Sequence, residues 1–230
     1  MLDKKEVLAL TEYRSALYRL LSGLYLIEVD AEQLAALKGL SFPYVAENSD
    51  AELDLQQGYA LLEEALRETE EEDLDELAAD YAKIFLAAGE ASGKAAFPYA
   101  SVYLDRKRAV GGDMDAKMRA LYLARGRQPD PNCYRTTNDH IGLMLEYMSI
   151  LCDEQSDSIE AKDAQRHKSL LNEQRGFLKD NLCSWVYSFT ADIIKYAGLK
   201  FYPGIAMITN GFLKNEAEFL KEAEGLWDTV

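Results

Sequence analysis

Two short segments of the sequence contain residues whose types and spacing could support binding or catalysis. Asn138-Asp139-His140 places a carboxylate beside an imidazole at the start of an apolar stretch. Residues 97–105 contain three aromatic residues and a proline, with Ser101 as a candidate helix N-cap. An adjacent acid and imidazole could act as an acid–base pair, and a carboxylate near aromatic rings could accept a guanidinium group. Each segment alone also has a structural explanation, as a helix cap or as a small aromatic cluster.

The sequence lacks the residue patterns of the common catalytic and metal sites. It contains no P-loop, no nucleophile elbow and no H-E-x-x-H, and neither His140 nor His167 has a Glu three residues before it, as a diiron bundle would need. Gly111-Gly112 is the one candidate for a phosphate cradle. The three cysteines form no C-x-x-C pair, which favours a reducing compartment. We therefore predict no catalytic residue and no metal site.

Helical periodicity accounts for nearly the whole chain. Apolar residues recur at three- and four-residue spacing, and the alternation typical of strands is nearly absent. Runs that begin at Asp30 and Ser49 have the spacing of capped helix starts. We predict an all-α fold of about nine or ten helices in one domain, residues 1–230. Residues 126–134 form the clearest break, and we predict a hinge there between two helical groups.

The pattern also makes three finer predictions about the helices. Ser158 to Leu171 is predicted as a more polar helix, and Phe177 to Ala197 as one helix that contains Trp185, Phe189 and Ile193. Arg14 is predicted to lie off the apolar stripe of the first helix.

The charge of the chain restricts its partners. With 40 acidic and 25 basic residues among 230, the formal net charge is −15. Such a field repels phosphate backbones and anionic lipids, so we expect no nucleic-acid or membrane partner, whereas a cationic partner would be attracted. No secretory signal is visible, and no apolar run reaches the length of a transmembrane helix. These features predict a cytoplasmic protein.

Taken in order, the motifs resemble those of the TorD/DmsD family of redox-enzyme maturation chaperones. The resemblance rests on Asp80 to Leu86, Pro98 to Tyr103, Asp139-His140-Ile141 and Phe201 to Ala206. The chain departs from the family pattern where Thr-Thr-Asn, instead of Glu-Pro-x, precedes the Asp-His pair, and where Asn181 replaces a usual His.

The resemblance implies a non-catalytic, all-helical cytoplasmic chaperone. The family binds the twin-arginine signal peptide of molybdopterin-containing oxidoreductases, holds the apo-subunit while cofactor is inserted, and prevents premature export by the Tat pathway. It implies no bound cofactor, although weak guanine-nucleotide binding has been proposed for the family, and either a monomer or a helix-swapped dimer. The peptide-binding positions of the family fall on Tyr81, Ile84, Phe85, Pro98, Tyr99, Ser101, Asp139 and His140.

We assign the arginine contact to Asp139 and a supporting role to His140, because neighbouring residues on a helix point about 100° apart. Tyr81 and Tyr99 would offer ring faces to the leader, and Ile84 and Phe85 would offer apolar surface. Two alternatives stay open. One is a nucleotide-dependent switch or weak hydrolase that uses the Asp139-His140 pair, and the other is a purely structural helical adaptor.

Overall fold

The helices predicted from periodicity are present in the computed structural model, which describes residues 3–43, 48–88, 94–129 and 136–226, with side chains up to Ala223. These ranges contain ten α-helices, one 3₁₀ turn and one π-helical turn, and they contain no strand. The all-α prediction is therefore confirmed. None of the helices in these ranges is both long enough and apolar enough to span a bilayer. The helices are α1 (Lys4–Leu26), α2 (Ala31–Lys38), α3 (Asp50–Glu68), α4 (Leu74–Phe85), α5 (Ala100–Leu104), α6 (Asp113–Ala124), α7 (Ile141–Glu160), α8 (Ala164–Phe177), α9 (Val186–Tyr196) and α10 (Phe201–Leu226).

Local capping interactions fix the starts of α2 and α3 where the sequence predicts them. The Asp30 side chain accepts a hydrogen bond from Gln33 N at 2.8 Å in a capping box. The Ser49 hydroxyl accepts one from Glu52 N at 3.2 Å. Each cap satisfies a backbone N–H that has no partner inside its helix, so the sequence signal has a direct physical cause.

Two predicted helices have different bounds in the structure. The polar helix predicted from Ser158 starts later, because α7 continues to Glu160 and α8 begins after its N-cap, Asp163. The helix predicted over Phe177 to Ala197 is interrupted by a π-helical turn at Leu178–Leu182, and α9 begins only at Val186. A π turn uses more residues than an α turn, and it changes the direction in which the following side chains point.

Helices α3 and α10 approach each other closely through glycines. A Cβ atom added at Gly58 would lie 2.7 Å from the Ile208 N atom and 2.9 Å from the Gly204 carbonyl oxygen. A Cβ atom added at Gly211 would lie 2.5 Å from the Ala51 carbonyl oxygen. No side chain fits at such distances, so the backbones of the two helices can approach only because these residues are glycine.

Helices on the two sides of residues 126–134 pack against each other. α1 lies along α7, where the Ser22 hydroxyl donates to the Gly142 carbonyl at 2.8 Å, and α3 lies along α10. The helices therefore do not divide into one group before this segment and another after it, as the sequence predicted, but share one core. Residues 130–135 lie outside the described residues, so the hinge itself stays a prediction.

A buried polar network joins α1 to α7, α8 and α10. The Arg14 side chain, only 2% exposed, donates from Nε to Glu216 Oε1 at 2.7 Å and from Nη2 to Gln174 Oε1 at 2.6 Å. Gln155 accepts from Nη1 at 3.2 Å, and the Tyr18 hydroxyl donates to Glu216 at 2.9 Å. Burial lowers the pKa of Arg14, but the Glu216 carboxylate raises it, and the net pKa lies above the ordinary value. Arg14 therefore points into the core, contrary to the sequence prediction, because the carboxylate of Glu216, 202 residues further along the chain, compensates its charge.

We expect Arg14→Met to lower the free energy of unfolding by about 3–5 kcal/mol, because it leaves Glu216 as a buried carboxylate without a cation. The double variant Arg14→Met/Glu216→Leu removes both charges and should be more stable than the single variant. Urea denaturation followed by circular dichroism measures both. A double variant that is no more stable than Arg14→Met would contradict this account of the network.

The glycine contact makes a second prediction about stability. Gly58→Ala should lower the free energy of unfolding by about 1–3 kcal/mol, because the added methyl group overlaps the α10 backbone. Gly23→Ala is the matched control, since a Cβ atom there would meet no other atom within 4 Å, and alanine should stabilise α1 by up to about 1 kcal/mol. Thermal unfolding of both variants measures the effect. Melting temperatures that shift in the same direction in both variants would show that the α3–α10 contact tolerates a side chain.

Candidate functional site

The two motif segments singled out in the sequence meet where α5 and α7 begin. Tyr99 and His140 form an isolated antiparallel bridge, and the Ile141 N–H donates to the Pro98 carbonyl at 2.8 Å. The rings of Tyr99 and His140 are in edge-to-face contact, with centroids 5.1 Å apart. We call this unit the bridge junction; it comprises residues 98–101 and 136–142.

Asp139 uses its carboxylate to hold the bridge junction together. Its side chain is fully buried, with Oδ2 accepting from Ser101 N at 2.8 Å and Oδ1 accepting from the Thr137 hydroxyl at 2.6 Å. Ser101 is the second residue of α5, so Asp139 caps that helix from 38 positions further along the chain. The carboxylate is not exposed and both its oxygens accept hydrogen bonds within the chain, so the arginine contact predicted for Asp139 has no exposed acceptor in this structure.

Ser101 also has a different role from the one predicted. It lies inside α5, and Tyr99 occupies the N-cap position. The buried Ser101 hydroxyl accepts a hydrogen bond from Gly111 N at 3.1 Å. Ser101 therefore connects α5 to the turn before α6 and offers no surface to a partner.

His140 caps α7 as a neutral ring. Its Nδ1 atom accepts a hydrogen bond from Gly142 N at 3.1 Å, and burial lowers the pKa of His140 to about 3. An uncharged ring is needed here, because a protonated Nδ1 could not accept this bond. The positioning role predicted for His140 agrees with this geometry. An acid–base pair with Asp139 does not, since the Asp139 oxygens bind Ser101 and Thr137 instead.

Three of the predicted peptide-binding residues lie in the aromatic core. The Phe85 ring contacts the rings of Tyr81 and Tyr202, at centroid distances of 4.9 and 5.2 Å. Ile84 is fully buried, and its carbonyl accepts from Ala96 N at 2.8 Å. The apolar surface expected from Ile84 and Phe85 is therefore not available to a partner in this structure, because both side chains are buried.

Tyr99 is the one residue among the eight predicted positions whose side chain is not buried. Its hydroxyl accepts a hydrogen bond from Thr136 at 3.2 Å. Tyr81 is buried and donates to the Tyr25 carbonyl at 3.0 Å, while burial, with smaller effects of Glu28 and Tyr99, raises the pKa of Tyr81 to about 12. The structure thus brings Pro98, Tyr99, Ser101, Asp139 and His140 together in the bridge junction, whereas Ile84 and Phe85 belong to the aromatic core.

The Gly111-Gly112 turn does not have the electrostatics of a phosphate site. Both glycines have positive φ, and a Cβ atom at Gly112 would lie 2.8 Å from a carboxylate oxygen of Asp105. Asp113 and Asp115 follow in the first turn of α6. These three carboxylates would repel a phosphate group at this helix start. Elsewhere in the described part of the chain, no group of three His, Cys, Asp or Glu side chains is placed to hold a metal ion.

A pocket that was not predicted from the sequence lies between α7 and the end of α6, together with residues 125–129 that follow α6. Its volume is about 590 Å³, and Leu143, Tyr147 and Ile150 line it beside Tyr122 of α6. The Tyr122 hydroxyl donates to the Asn138 carbonyl at 3.2 Å, which connects the pocket to the bridge junction. The spacing of the three α7 residues, beside the core-facing stripe of the same helix, is the sequence signal that could have identified it.

Comparison with known proteins gives consistent matches along the chain. Residues 48–191, more than half of the chain, match the family described as nitrate reductase delta subunit. A protein named Chaperone protein TorD from Shewanella pealeana is 29% identical over 225 residues, which cover 94% of this chain and 93% of that protein. Proteins of the same name from Psychrobacter sp. (29% over 219 residues; 91% and 92% covered) and Vibrio vulnificus strain YJ016 (26% over 221 residues; 94% and 98% covered) are similar over comparable lengths.

The neutral cap at His140 predicts a specific pH dependence. Because the folded-state pKa lies below that of the unfolded chain, the unfolded state binds the proton first, and stability falls as the pH drops below about 6.5. This residue alone should contribute a slope of up to about 1.4 kcal/mol per pH unit. His140→Asn keeps an N-cap acceptor and removes the titrating ring, so its stability should fall less between pH 7 and pH 5. Urea denaturation at both pH values measures the difference, and equal losses in the two proteins would contradict the assignment.

Proposed function

We propose that this chain binds a leader peptide, and the proposal starts from its family. The chain belongs to the TorD/DmsD family of redox-enzyme maturation chaperones. Its role is accordingly that of a chaperone for a redox enzyme, and it is not an enzyme itself. We propose that it binds the twin-arginine signal peptide of a molybdopterin-containing oxidoreductase. By holding the apo-subunit in the cytoplasm while cofactor is inserted, it would prevent premature export by the Tat pathway, without a cofactor of its own.

The observation that carries the proposal is the position of Tyr99 in the bridge junction. Asp139 and His140 fix the backbone on both sides of the Tyr99–His140 bridge, so the Tyr99 ring is held in place before any partner arrives. A side chain that is already ordered loses little conformational entropy on binding. An aromatic ring presented in this way is suited to contact either a guanidinium group or an apolar residue of a peptide.

Charge and exposed apolar residues support the same conclusion. A twin-arginine leader carries two guanidinium groups followed by an apolar stretch. The formal charge of −15 attracts such a segment and would mainly increase its rate of association. Leu86, which follows Phe85 at the end of α4, is 59% exposed, and Ile27 at the end of α1 is 49% exposed. These side chains offer apolar contacts that the buried Ile84 and Phe85 do not.

Tyr99→Ala should weaken binding of a twin-arginine leader peptide by about 1–3 kcal/mol, as the loss of an aromatic hot spot does. The matched control is Tyr13→Ala, which removes a tyrosine that is 55% exposed and lies three helical turns before Tyr25 on α1. Isothermal titration with the leader, and with a peptide in which both arginines are lysines, measures the effect. The lysine peptide should bind more weakly, because lysine lacks the planar donor group of arginine.

Two results of this titration would count against the proposal. Equal losses of affinity for Tyr99→Ala and Tyr13→Ala would remove Tyr99 from the binding surface. A folded wild-type protein that binds neither peptide would favour the purely structural adaptor.

A further inference from the structure

An accessible carboxylate lies where Tyr81 contacts the end of α1. Glu28 is exposed and directly follows Ile27, the C-cap residue of α1. The Tyr81 hydroxyl donates to the carbonyl of Tyr25, three residues before Glu28, at 3.0 Å. In the part of the chain that the structure describes, the Glu28 side chain forms no ion pair and no hydrogen bond. Its charge is therefore available to a partner.

A second carboxylate in this region, that of Asp80, is already used by the fold. Asp80 is 6% exposed, and its two oxygens accept hydrogen bonds from Gly198 N at 2.7 Å and Leu199 N at 3.1 Å. The Lys83 ammonium is also directed to Asp80, at 3.9 Å from Oδ1. Of the two carboxylates, Glu28 is therefore the one that a partner can reach.

The electrostatics of two buried tyrosines agree with this placement of Glu28. Burial, with smaller contributions from Glu28 and Tyr99, raises the pKa of Tyr81 to about 12. Burial likewise raises the pKa of Tyr202 above its ordinary value, and the carboxylates of Asp80 and Glu28 contribute to that rise. Because the effect of a charge falls with distance, Glu28 and the half-buried Tyr99 both lie near the Tyr81 hydroxyl.

The Tyr202 hydroxyl is a buried polar group without a hydrogen-bond partner among the described residues. Its ring lies beside those of Tyr81 and Phe85, at centroid distances of 5.8 and 5.2 Å. Buried hydroxyl groups in folded proteins are nearly always hydrogen-bonded, because an unpaired one is costly. An unsatisfied hydroxyl within the field of Glu28 therefore indicates a region that is completed by a ligand or by a water molecule.

Exposed apolar side chains accompany Glu28 at this surface. Ile27, its neighbour along the chain, is 49% exposed, and Leu86 is 59% exposed. Leu86 follows Phe85, whose ring contacts that of Tyr81 at a centroid distance of 4.9 Å. A single accessible carboxylate with apolar neighbours complements a cationic residue that is followed by apolar ones.

We propose that Glu28 determines the preference of this surface for arginine, by accepting the guanidinium group of one arginine of the leader. The assignment rests on the proposed function, in which Tyr99 contacts the same peptide. A guanidinium group donates two parallel hydrogen bonds to one carboxylate and stacks on an aromatic ring such as that of Tyr99. The apolar residues that follow the arginine would cover Ile27 and Leu86. They would thereby exclude water from the ion pair and strengthen it.

The chemistry of this surface selects against other occupants. An anion would be repelled by Glu28 and by the net charge of −15. A lysine ammonium pairs with a carboxylate as a point charge, and it neither donates in two parallel bonds nor stacks its plane on a ring. A neutral peptide would gain only the apolar contacts. The preference therefore runs from arginine through lysine to a neutral residue.

The test compares Glu28→Gln with Glu12→Gln, the same chemical change at an exposed position of α1 about four helical turns earlier. Each variant and the wild-type protein are titrated calorimetrically at low and high salt. The ligands are the twin-arginine leader, the same leader with both arginines replaced by lysines, and the short peptide acetyl-Arg-Leu-Leu-amide.

Glu28→Gln should bind the leader and the short peptide about fivefold more weakly, as expected for the loss of one accessible arginine–carboxylate pair. The lysine leader should lose less, so that the preference for arginine narrows, and the salt dependence should become weaker. Glu12→Gln should bind all three ligands as the wild-type protein does. Thermal unfolding should show that both variants are folded, since Glu28 has no partner to lose in the described part of the chain.

The outcomes separate the role of Glu28 from the proposed function. Leader binding that is equally strong in the wild-type protein, Glu28→Gln and Glu12→Gln would overturn the assignment of Glu28 and leave leader binding intact. Binding of the short peptide that depends on Glu28, without binding of the leader, would support the arginine site and overturn the leader function. A wild-type protein that binds none of the three ligands would overturn both.

Discussion

The buried pair of Arg14 and Glu216 is the interaction on which the arrangement of the long helices depends. Two charges that are nearly inaccessible to water are tolerated only when their hydrogen bonds are completed inside the protein, and Gln155 of α7 and Gln174 of α8 complete them here. This requirement fixes the positions of α1, α7, α8 and α10 relative to one another. Because the Ser22 hydroxyl of α1 also donates to the Gly142 carbonyl at the start of α7, the position of the bridge junction depends on the same arrangement.

The buried motif residues at the bridge junction affect the protein surface indirectly, because they fix the position of the Tyr99 ring. An acid beside an imidazole suggests acid–base chemistry in the sequence, yet Asp139 caps α5 and His140 caps α7. The side chains of adjacent residues point in different directions, so one short motif can cap the starts of two different helices. The Tyr99 ring lies between these two fixed points. Residues that carry a family motif can therefore hold an accessible side chain in place while having no exposed surface of their own.

Interactions between residues that are close along the chain could be predicted from the sequence, whereas interactions between residues far apart along the chain could not. The caps at Asp30 and Ser49 were predictable, because donor and acceptor lie three residues apart. The burial of Arg14 was not, because its carboxylate partner lies 202 residues away. The burial of Asp139 depends in the same way on Ser101, 38 residues earlier. The fold class could be predicted from local periodicity, whereas the division between supporting and exposed site residues depends on tertiary contacts.

The net charge and the individual carboxylates of this chain would act on a cationic peptide in different ways. The field of 15 excess negative charges acts over a distance of about 8 Å at physiological ionic strength and does not distinguish one cationic segment from another. A fully exposed carboxylate adds little, because water competes for it, with a typical gain of about 0–1 kcal/mol. A fully buried one such as Asp139 is already occupied by the fold. Recognition of a particular arginine therefore requires a carboxylate that is accessible but incompletely solvated.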